Sequence, residues 1–219
     1  MKIEDLQLGK IGNMTRVTAK VIWEDNDRPT KNVYFETSDV FGVGLSCNPH
    51  AFLVGCFLPA MHFSEKRIFI DAEICPSLEH GLVEVMNWMQ HWFEFDREIV
   101  CIEARRKSYI NKFNKARNAA VFLSGGVDSL GTLCHNHRQY PIEHPWYIRD
   151  AIFIQGNNIE SDSRVETVDR AVEALSEMSR DAGVTLIPVA TNIRELEPST
   201  YFFTQWHGSI LAAVAHALS

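Results

Sequence analysis

Apolar and polar residues alternate along the first part of the chain with the period of two that is typical of β-strands. The runs from Val17 to Trp23 and from Ile68 to Ile74 place apolar residues at nearly every second position, and a polar turn at residues 24–29 leads to a shorter apolar run at residues 33–35. A period of two with turns between the runs predicts a half-buried antiparallel sheet. Residues 99–102 add a further predicted strand.

Pro76 is interpreted as the end of the preceding strand and Ser77 as the N-cap of a predicted helix. Apolar residues recur at helical spacing through residue 95, namely Leu78, Leu82, Val85, Met86, Met89, Trp92 and Phe93. We interpret this stripe as the core face of a helix that covers the sheet. The lining of a ligand groove is the alternative.

From residue 118 the pattern changes to continuous apolar runs that alternate with amphipathic helices. The predicted strands are 119–123, 151–154 and 184–190, and the predicted helices are 127–138, 165–183 and 209–218. Continuous runs are typical of strands buried on both faces, and their alternation with helices predicts a parallel α/β sheet. Because open sheets of this kind usually have about five or six strands, we expect this domain to be incomplete and the chain to be part of a longer protein.

The composition is that of a globular protein and excludes a disordered or low-complexity chain, since 46% of the 219 residues are hydrophobic and 22% are charged. The net charge of −7 argues against chain-wide electrostatic binding of nucleic acid. Residues 1–118 contain sixteen acids and fifteen bases. Residues 119–219 contain twelve acids, six arginines and no lysine. This asymmetry indicates two regions with different roles.

The cysteines and the apolar runs indicate a cytoplasmic protein. The five cysteines form no C-x-x-C pair, which argues against a zinc site within this chain and against a disulfide scaffold. We interpret them as buried reduced thiols. The first twelve residues contain no apolar leader segment. The longest apolar run, residues 51–63, is too short to cross a bilayer and contains Pro59 and His62.

A basic stretch at residues 105–117 contains six bases and no acid. A solvated linker helix is the interpretation we favour, and a basic lip beside a phosphate or polynucleotide site is the alternative. The sequence therefore predicts a small α+β domain over residues 1–105, a basic linker over 106–117 and an α/β domain over 118–219.

The residues that point to chemistry follow the first strand of the predicted α/β domain, in the order Ser124-Gly125-Gly126-Val127-Asp128-Ser129. Glycine lets an anion approach the backbone amides closely and can adopt a positive φ. The helix that begins there directs its unpaired N–H groups and the positive end of its dipole to the same place. The two serines add hydroxyl groups. The carboxylate of Asp128 would repel a bare phosphate, so its presence favours a Mg²⁺ ion between them.

Three other motifs are excluded. A Walker A loop needs a lysine, and the chain has none after Lys115. The glycine pattern of a dinucleotide-binding fingerprint breaks off after Gly42-Val43-Gly44. A nucleophile elbow, G-x-S-x-G, is not formed around Ser124.

The six residues from Ser124 to Ser129 resemble the pyrophosphate loop of the N-type ATP pyrophosphatases, the PP-loop family. This family includes asparagine, GMP, NAD and argininosuccinate synthetases, tRNA-thiolating enzymes and 7-cyano-7-deazaguanine synthase. The resemblance covers residues 118–219. It implies an α/β domain with the parallel sheet of the adenine nucleotide α-hydrolase-like fold, here incomplete and preceded by the small α+β domain.

The resemblance implies an ATP site with a role for each matching residue. Ser124, Gly125, Gly126, Val127, Asp128 and Ser129 would bind the β- and γ-phosphates, with Ser124 and Asp128 catalytic and Asp128 beside Mg²⁺. Ile154, Gln155 and Gly156 would lie beside the adenine, and Thr191, Asn192, His207 and Gly208 would line the opposite wall. Ligands bind at the carboxyl ends of parallel strands, which agrees with these positions. For His207, a structural role in capping its helix is favoured over substrate contact.

Within the family, residues 184–189, 191–196 and 207–212 are most similar to 7-cyano-7-deazaguanine synthase-like proteins of bacterial anti-phage defence systems. The implied reaction is ATP- and Mg²⁺-dependent adenylation of a carboxylate or amide of the deazaguanine type, as in queuosine biosynthesis, with pyrophosphate release and attack of an amine. The alternatives are a tRNA-modifying or asparagine-synthetase-like amidation and a non-catalytic ATP-binding scaffold. Zinc would require cysteines beyond this chain, and we expect the chain alone to bind ATP weakly.

The implied partners are ATP and a small-molecule or nucleobase substrate. A protein from a defence operon and a second copy of the chain are further candidates, whereas no membrane or nucleic-acid partner is expected. Two histidine patterns are interpreted as solvated surface residues. His135-Asn136-His137 spells a nuclease-like tripeptide but lies on a predicted helix, and His137 with His144 lacks a carboxylate or cysteine partner for a metal.

Overall fold

The computed structural model describes residues 1–93, 97–107, 119–155, 164–198 and 202–218. The predicted helix end near residue 95, most of the basic stretch and Gly156 lie outside these residues. The chain divides into two compact units, of which the first comprises Met1–Ile110 and Thr191–Ser219 and the second Asn111–Ala190. Both units combine strands with helices, so the predicted α/β class is confirmed.

The strands of the first unit lie in the order β5-β4-β1-β2-β3. They are β1 (Lys2–Ile11), β2 (Met14–Ile22), β3 (Lys31–Ser38), β4 (Arg67–Ile74) and β5 (Cys101–Arg106). β2 pairs antiparallel with β3, as predicted, and with β1, but β4 pairs parallel with β1 and β5. The antiparallel prediction for β4 was wrong, because alternation specifies which face of a strand is buried and not the direction of its neighbours.

Alternation in β2 separates the two faces of this sheet. The buried residues are Val17, Ala19 and Val21. The alternate residues Arg16, Thr18 and Lys20 are half-buried, and the two charged ones pair with acids of neighbouring strands. Arg16 lies 2.6 Å from the Glu36 carboxylate, and Lys20 lies 3.1 Å from that of Glu4. One face therefore belongs to the core and the other bears a ladder of ion pairs.

Helix α1 (Pro49–His62) is buried on nearly all sides. The side-chain Oδ1 of Asn48 accepts a hydrogen bond from the His50 backbone N–H at 3.0 Å and so caps the helix. Pro49 occupies the first position, where a missing N–H costs nothing. The sequence did not predict this helix, because twelve of its fourteen residues are buried and its apolar pattern therefore has no period.

Helix α5 (His207–Ala217) packs against α1 in the first unit. It follows short helical turns at Ile193–Leu196 and Phe202–Trp206, and a third such turn, Gly42–Gly44, follows β3. Trp206 is fully buried, and its indole N–H donates to the Gly55 carbonyl at 3.1 Å. The domain predicted over residues 118–219 thus differs from the observed units, because the apolar face of α5 is buried in the first unit.

Helix α2 (Pro76–Phe93) begins two residues before the predicted start, because Pro76 suits the first position of a helix. Its buried residues are Leu82, Met86 and Met89. The prediction of one core stripe is wrong for three other members, since Val85, Trp92 and Phe93 are exposed. Helical spacing places residues near one another on the surface of a helix, but it does not specify how wide a face the sheet covers.

The second unit contains the three parallel strands that the sequence predicts, in the order β8-β7-β6. Its elements are β6 (Ala119–Phe122), α3 (Val127–Gln139), β7 (Ile148–Gln155), α4 (Arg164–Asp181) and β8 (Thr185–Thr191). Gly183 adopts a φ of +71° after α4, which suits the end of a helix. All five elements agree with their predictions to within a few residues.

Strand β6 is less buried than predicted. Ala120 is exposed and the other residues of the strand are half-buried, although Leu123, which follows, is 2% exposed. The prediction of burial on both faces was wrong. β6 is an edge strand of the described sheet with a neighbouring strand on one side only, so less of it is covered. The core of this unit comprises Leu123, Leu133, Ile148, Ala151, Leu175, Val184 and Leu186.

All five cysteines lie in the described residues, and none of them forms a disulfide. Burial raises the pKa of the Cys56 thiol, on α1, to about 12. The prediction of buried thiols is wrong for Cys101 and Cys134, which are exposed. In the residues that the structure describes, no helix combines the length and the apolar character needed to cross a membrane.

Candidate functional site

The loop from Ser124 to Ser129 joins β6 to α3 in the second unit. β6, β7 and β8 are parallel, so their carboxyl ends meet at one edge of the sheet. Ile154 and Gln155 end β7 at this edge, where they pair with Val189 and Ala190. The structure thus brings the loop and the last residues of β7 to the same sheet edge. Gly156 lies outside the described residues.

The two glycines have different roles in this loop. Gly125 has a φ of +78°, a conformation that other residues adopt only with strain, and a Cβ there would lie 3.2 Å from Leu175 Cδ2 of α4. Gly126 is the N-cap of α3, with extended backbone and no side-chain cap. Since no side chain makes a cap hydrogen bond to the first turn of α3, its backbone N–H groups can bind an anion.

The two serine hydroxyls close the loop on itself. The Ser124 Oγ accepts a hydrogen bond from the Gly126 N–H at 3.3 Å, and the Ser129 hydroxyl donates to the Gly126 carbonyl at 2.9 Å. The two hydroxyl oxygens are 3.4 Å apart. The two contacts of 3.3 and 3.4 Å are long and therefore weak, so a phosphate oxygen can replace them at little cost.

Asp128 lies in the first turn of α3, and its residue is exposed. A carboxylate there is stabilised by the helix dipole, so its position alone has a structural explanation. Within the described ranges, no group of three or more His, Cys, Asp or Glu side chains could hold a metal. Mg²⁺ is commonly bound by one or two carboxylates together with substrate phosphates and water, and an exposed carboxylate at Asp128 in this loop would suit that arrangement.

Thr191 and Asn192, predicted for the opposite wall, bind the backbone of β3 within the first unit. The Thr191 hydroxyl donates to the Tyr34 carbonyl at 2.6 Å, and this threonine is 3% exposed. The Asn192 amide accepts from the Tyr34 N–H and donates to the Asn32 carbonyl, both at 2.9 Å. Both side chains therefore have a structural role that sequence reasoning missed.

His207 is the first residue of α5, is exposed, and belongs to the first unit. The residue at the N-cap is Trp206, which makes no side-chain cap hydrogen bond. The predicted capping role of His207 is therefore wrong. Gly208, the next residue, is exposed as well.

The tripeptide His135-Asn136-His137 lies on α3, as predicted. The Asn136 amide accepts from the Ile148 N–H and donates to the Trp146 carbonyl, both at 2.9 Å. The His137 ring stacks on Tyr147 at 4.2 Å between centroids. These residues anchor the segment between α3 and β7, which is a structural role.

The basic stretch begins on a strand and not on a helix, since Arg105 and Arg106 end β5. The linker-helix interpretation is wrong for these two residues. Each of the first three bases pairs with an acid at 2.7–3.5 Å. The pairs are Arg105 with Asp71, Arg106 with Glu79 and Lys107 with Glu73. Paired cations contribute less to binding of a polynucleotide than free ones do, because each is already partly neutralised.

Comparison of the chain with family models, with curated proteins and with solved structures gave no match. The interpretation of the loop therefore depends on its own residues and geometry. These are a glycine at positive φ, an uncapped helix start, two hydroxyls and a first-turn carboxylate at the carboxyl edge of a parallel sheet.

Proposed function

We propose that the second unit binds the phosphates of ATP at residues 124–129 and that the protein uses ATP to adenylate a substrate. The observation that carries this proposal is the turn at Gly125, whose positive φ leads β6 into the uncapped N-terminus of α3. Such a turn directs several N–H groups at one point, which is the arrangement that binds phosphate in proteins. The resemblance of these six residues to the pyrophosphate loop supports the same assignment.

In the proposed reaction a carboxylate or amide oxygen of the substrate attacks the α-phosphorus of ATP, and the bond to the β-phosphate oxygen breaks. Pyrophosphate leaves, and an amine then displaces AMP from the adenylated carbon. The α3 N–H groups and the hydroxyls of Ser124 and Ser129 would stabilise the charge that develops on the pyrophosphate. Asp128 would hold Mg²⁺, which supplies further neutralisation of that charge when it is bound.

The proposed substrate is a carboxylate of the deazaguanine type, and an anti-phage defence role is part of the proposal. Both follow from the resemblance of residues 184–189, 191–196 and 207–212 to deazaguanine synthase-like proteins. A scaffold that binds ATP without turnover is the alternative outcome of the experiments. Pyrophosphate release separates the two, because a scaffold would bind ATP and release none.

Two glycine substitutions test the phosphate site by calorimetry with Mg-ATP. Gly125→Ala forces a Cβ into a residue at φ +78° and toward Leu175, so we expect at least a tenfold loss of affinity. Gly131→Ala is the matched control, because a Cβ at Gly131 on α3 meets nothing within 4 Å. It should bind ATP as the unchanged protein does. Equal affinity of the two variants, or no ATP binding by the unchanged protein, would overturn the proposal.

A further inference from the structure

Three buried leucines connect the loop at residues 124–129 to the apolar core of the second unit. Leu123 directly precedes the loop, Leu133 lies on α3 after it, and Leu175 lies on α4. All three belong to one buried cluster. Leu123 and Leu133 are carried by the two elements that the loop joins. Leu175 comes from a different helix, so its packing can fix the loop relative to the rest of the unit.

Leu175 contacts the loop at Gly125. A Cβ placed on Gly125 would lie 3.2 Å from Leu175 Cδ2, and no second heavy atom of the described residues, apart from the chain neighbours, lies within 4 Å of that position. The leucine methyl group therefore occupies the side of Gly125 on which any other residue would carry its side chain. Glycine thus permits both the φ of +78° and the close approach of Leu175.

The hydrogen bonds of the loop leave the turn at Gly125 weakly restrained. The Ser129 hydroxyl donates to the Gly126 carbonyl at 2.9 Å, which fixes the side of the loop next to α3. On the other side, Ser124 Oγ lies 3.3 Å from the Gly126 nitrogen and 3.4 Å from Ser129 Oγ, and contacts of this length are weak. Because glycine has the greatest backbone freedom of all residues, packing against Leu175 is an important restraint on this turn.

We propose that Leu175 is a positioning residue of the phosphate site. Its side chain is 5% exposed and lies on the core side of the loop, so it acts through Gly125 and not by contact with ATP. It holds the turn in the conformation in which the N–H groups of the loop and of the first turn of α3 converge. A binding site needs such support, because its groups bind well only when packing holds them in place. This inference rests on the proposed ATP site.

Calorimetry with Mg-ATP tests the role of Leu175. Leu175→Ala should weaken ATP binding roughly tenfold, since residues without ligand contact can change affinity by such factors. Leu186→Ala is the matched control, because Leu186 belongs to the same buried cluster but is the second residue of β8, at the end of the sheet away from the loop. It should lose stability as Leu175→Ala does and keep its ATP affinity.

Two further variants separate the contact from a general effect on α4. Leu175→Met conserves the volume of the side chain and should bind ATP as the unchanged protein does. Ser179→Ala changes the same face of α4 one turn later, where the buried hydroxyl has no hydrogen-bond partner in the part of the chain described. It should also keep the affinity. Circular dichroism checks that every variant is folded, and Leu175→Val, with a smaller loss of affinity, replaces Leu175→Ala if that variant is not.

The conformation of the turn can be measured without ATP. The coupling between the N–H and the Hα atoms of Gly125 depends on φ, and nuclear magnetic resonance measures it in the ¹⁵N-labelled chain. Leu175→Ala should change this coupling, whereas Leu186→Ala should leave it unchanged. If the unchanged chain binds no Mg-ATP but the coupling responds in this way, the proposed function fails and the positioning of the turn by Leu175 is supported. An unchanged coupling in Leu175→Ala, or an equal loss of ATP affinity in Leu175→Ala and Leu186→Ala, overturns the inference.

Discussion

The two units of the chain bury their helices to different extents. Twelve of the fourteen residues of α1, in the first unit, are buried. On α4, in the second unit, Leu175 and Ser179 are the buried residues among the side chains described. The first unit also buries whole aromatic rings, including Trp206, Phe35 and Phe52. Among the described residues of the second unit, the fully buried core consists of aliphatic side chains, and Phe153 packs against it while only partly buried.

This difference indicates that most of the folding stability comes from the first unit, whereas the candidate binding loop lies in the second. Burial of large apolar side chains is the main source of folding stability, so most of it should come from the first unit. The candidate phosphate loop belongs to the second unit, where its polar groups are exposed and weakly bonded. Segments that bind ligands often have low local stability, which agrees with this placement.

The largest effect is expected from Trp206→Ala. It removes a fully buried ring and the hydrogen bond to Gly55, so the first unit should lose about 4 kcal/mol of stability. Trp146→Ala, at a site 64% exposed in the second unit, should change stability by less than about 1 kcal/mol. Urea unfolding measures both. Similar losses for the two variants would contradict the assignment of stability to the first unit.

A loss of about 3 kcal/mol is expected from Glu65→Ala, because the buried ammonium group of Met1 would lose its closest carboxylate. Glu65 also accepts from the N–H groups of Glu24 and Asp25, each at 3.1 Å. Glu103→Ala is the control, since Glu103 is exposed and pairs with the exposed Arg67. Exposed pairs contribute at most about 1 kcal/mol. If Glu103→Ala lowers the melting temperature as much as Glu65→Ala does, burial of the ion pair is not the cause of the lost stability.

Asp128→Asn should reduce catalysis without reducing stability. Removal of the charge keeps the shape of an exposed side chain, so the melting temperature should barely change. Under the proposed adenylation, pyrophosphate release with a deazaguanine-type carboxylate and ammonium should fall by roughly 10²–10³-fold. Ser124→Ala should have a smaller effect, because the backbone N–H groups remain. Near-normal turnover by Asp128→Asn would refute the metal role.

A smaller effect is expected from pH. Burial lowers the pKa of His50, His62 and His216, all in the first unit, below the usual value of 6.5. The folded state then binds fewer protons than the unfolded state, so stability is complete above pH 6.5 and declines as the pH falls below it. His50 contributes to this pH dependence because its Nε2 accepts a hydrogen bond from the Cys75 N–H at 3.0 Å, and a protonated Nε2 could not accept it.

Thermal unfolding between about pH 5 and pH 8 measures this decline. His50→Gln keeps an acceptor and removes the titration, so its melting temperature should depend less on pH. His80→Gln is the control, because that side chain is 77% exposed. If the two variants follow the same pH curve, burial of His50 is not the cause.

The sequence predicted the second unit well, because each of its elements has a local signal. The strand before Ser124 and the helix from Val127 needed no information from distant residues. In the first unit the decisive contacts are distant in sequence, such as that between Trp206 and Gly55. Local patterns therefore could not show that α5 belongs with α1, nor that β4 runs parallel to β1.

The candidate site was likewise predictable where its residues are close in sequence and not where they depend on distant contacts. Residues 124–129 form one loop because they are consecutive, and parallel pairing brings Gln155 to the same edge. Thr191 and Asn192 were assigned to the opposite wall because of the resemblance. Their side chains bind the backbone of β3, and no local signal near residue 191 indicates these contacts with Tyr34 and Asn32.

A nuclear magnetic resonance titration of the ¹⁵N-labelled chain with Mg-ATP tests the phosphate site most directly, because it needs no knowledge of the substrate. The account predicts the largest shifts at the backbone N–H groups of Gly125, Gly126 and Asp128, with much smaller changes on β2 and α1 of the first unit. No shifts at the loop, or shifts confined to the first unit, would contradict it.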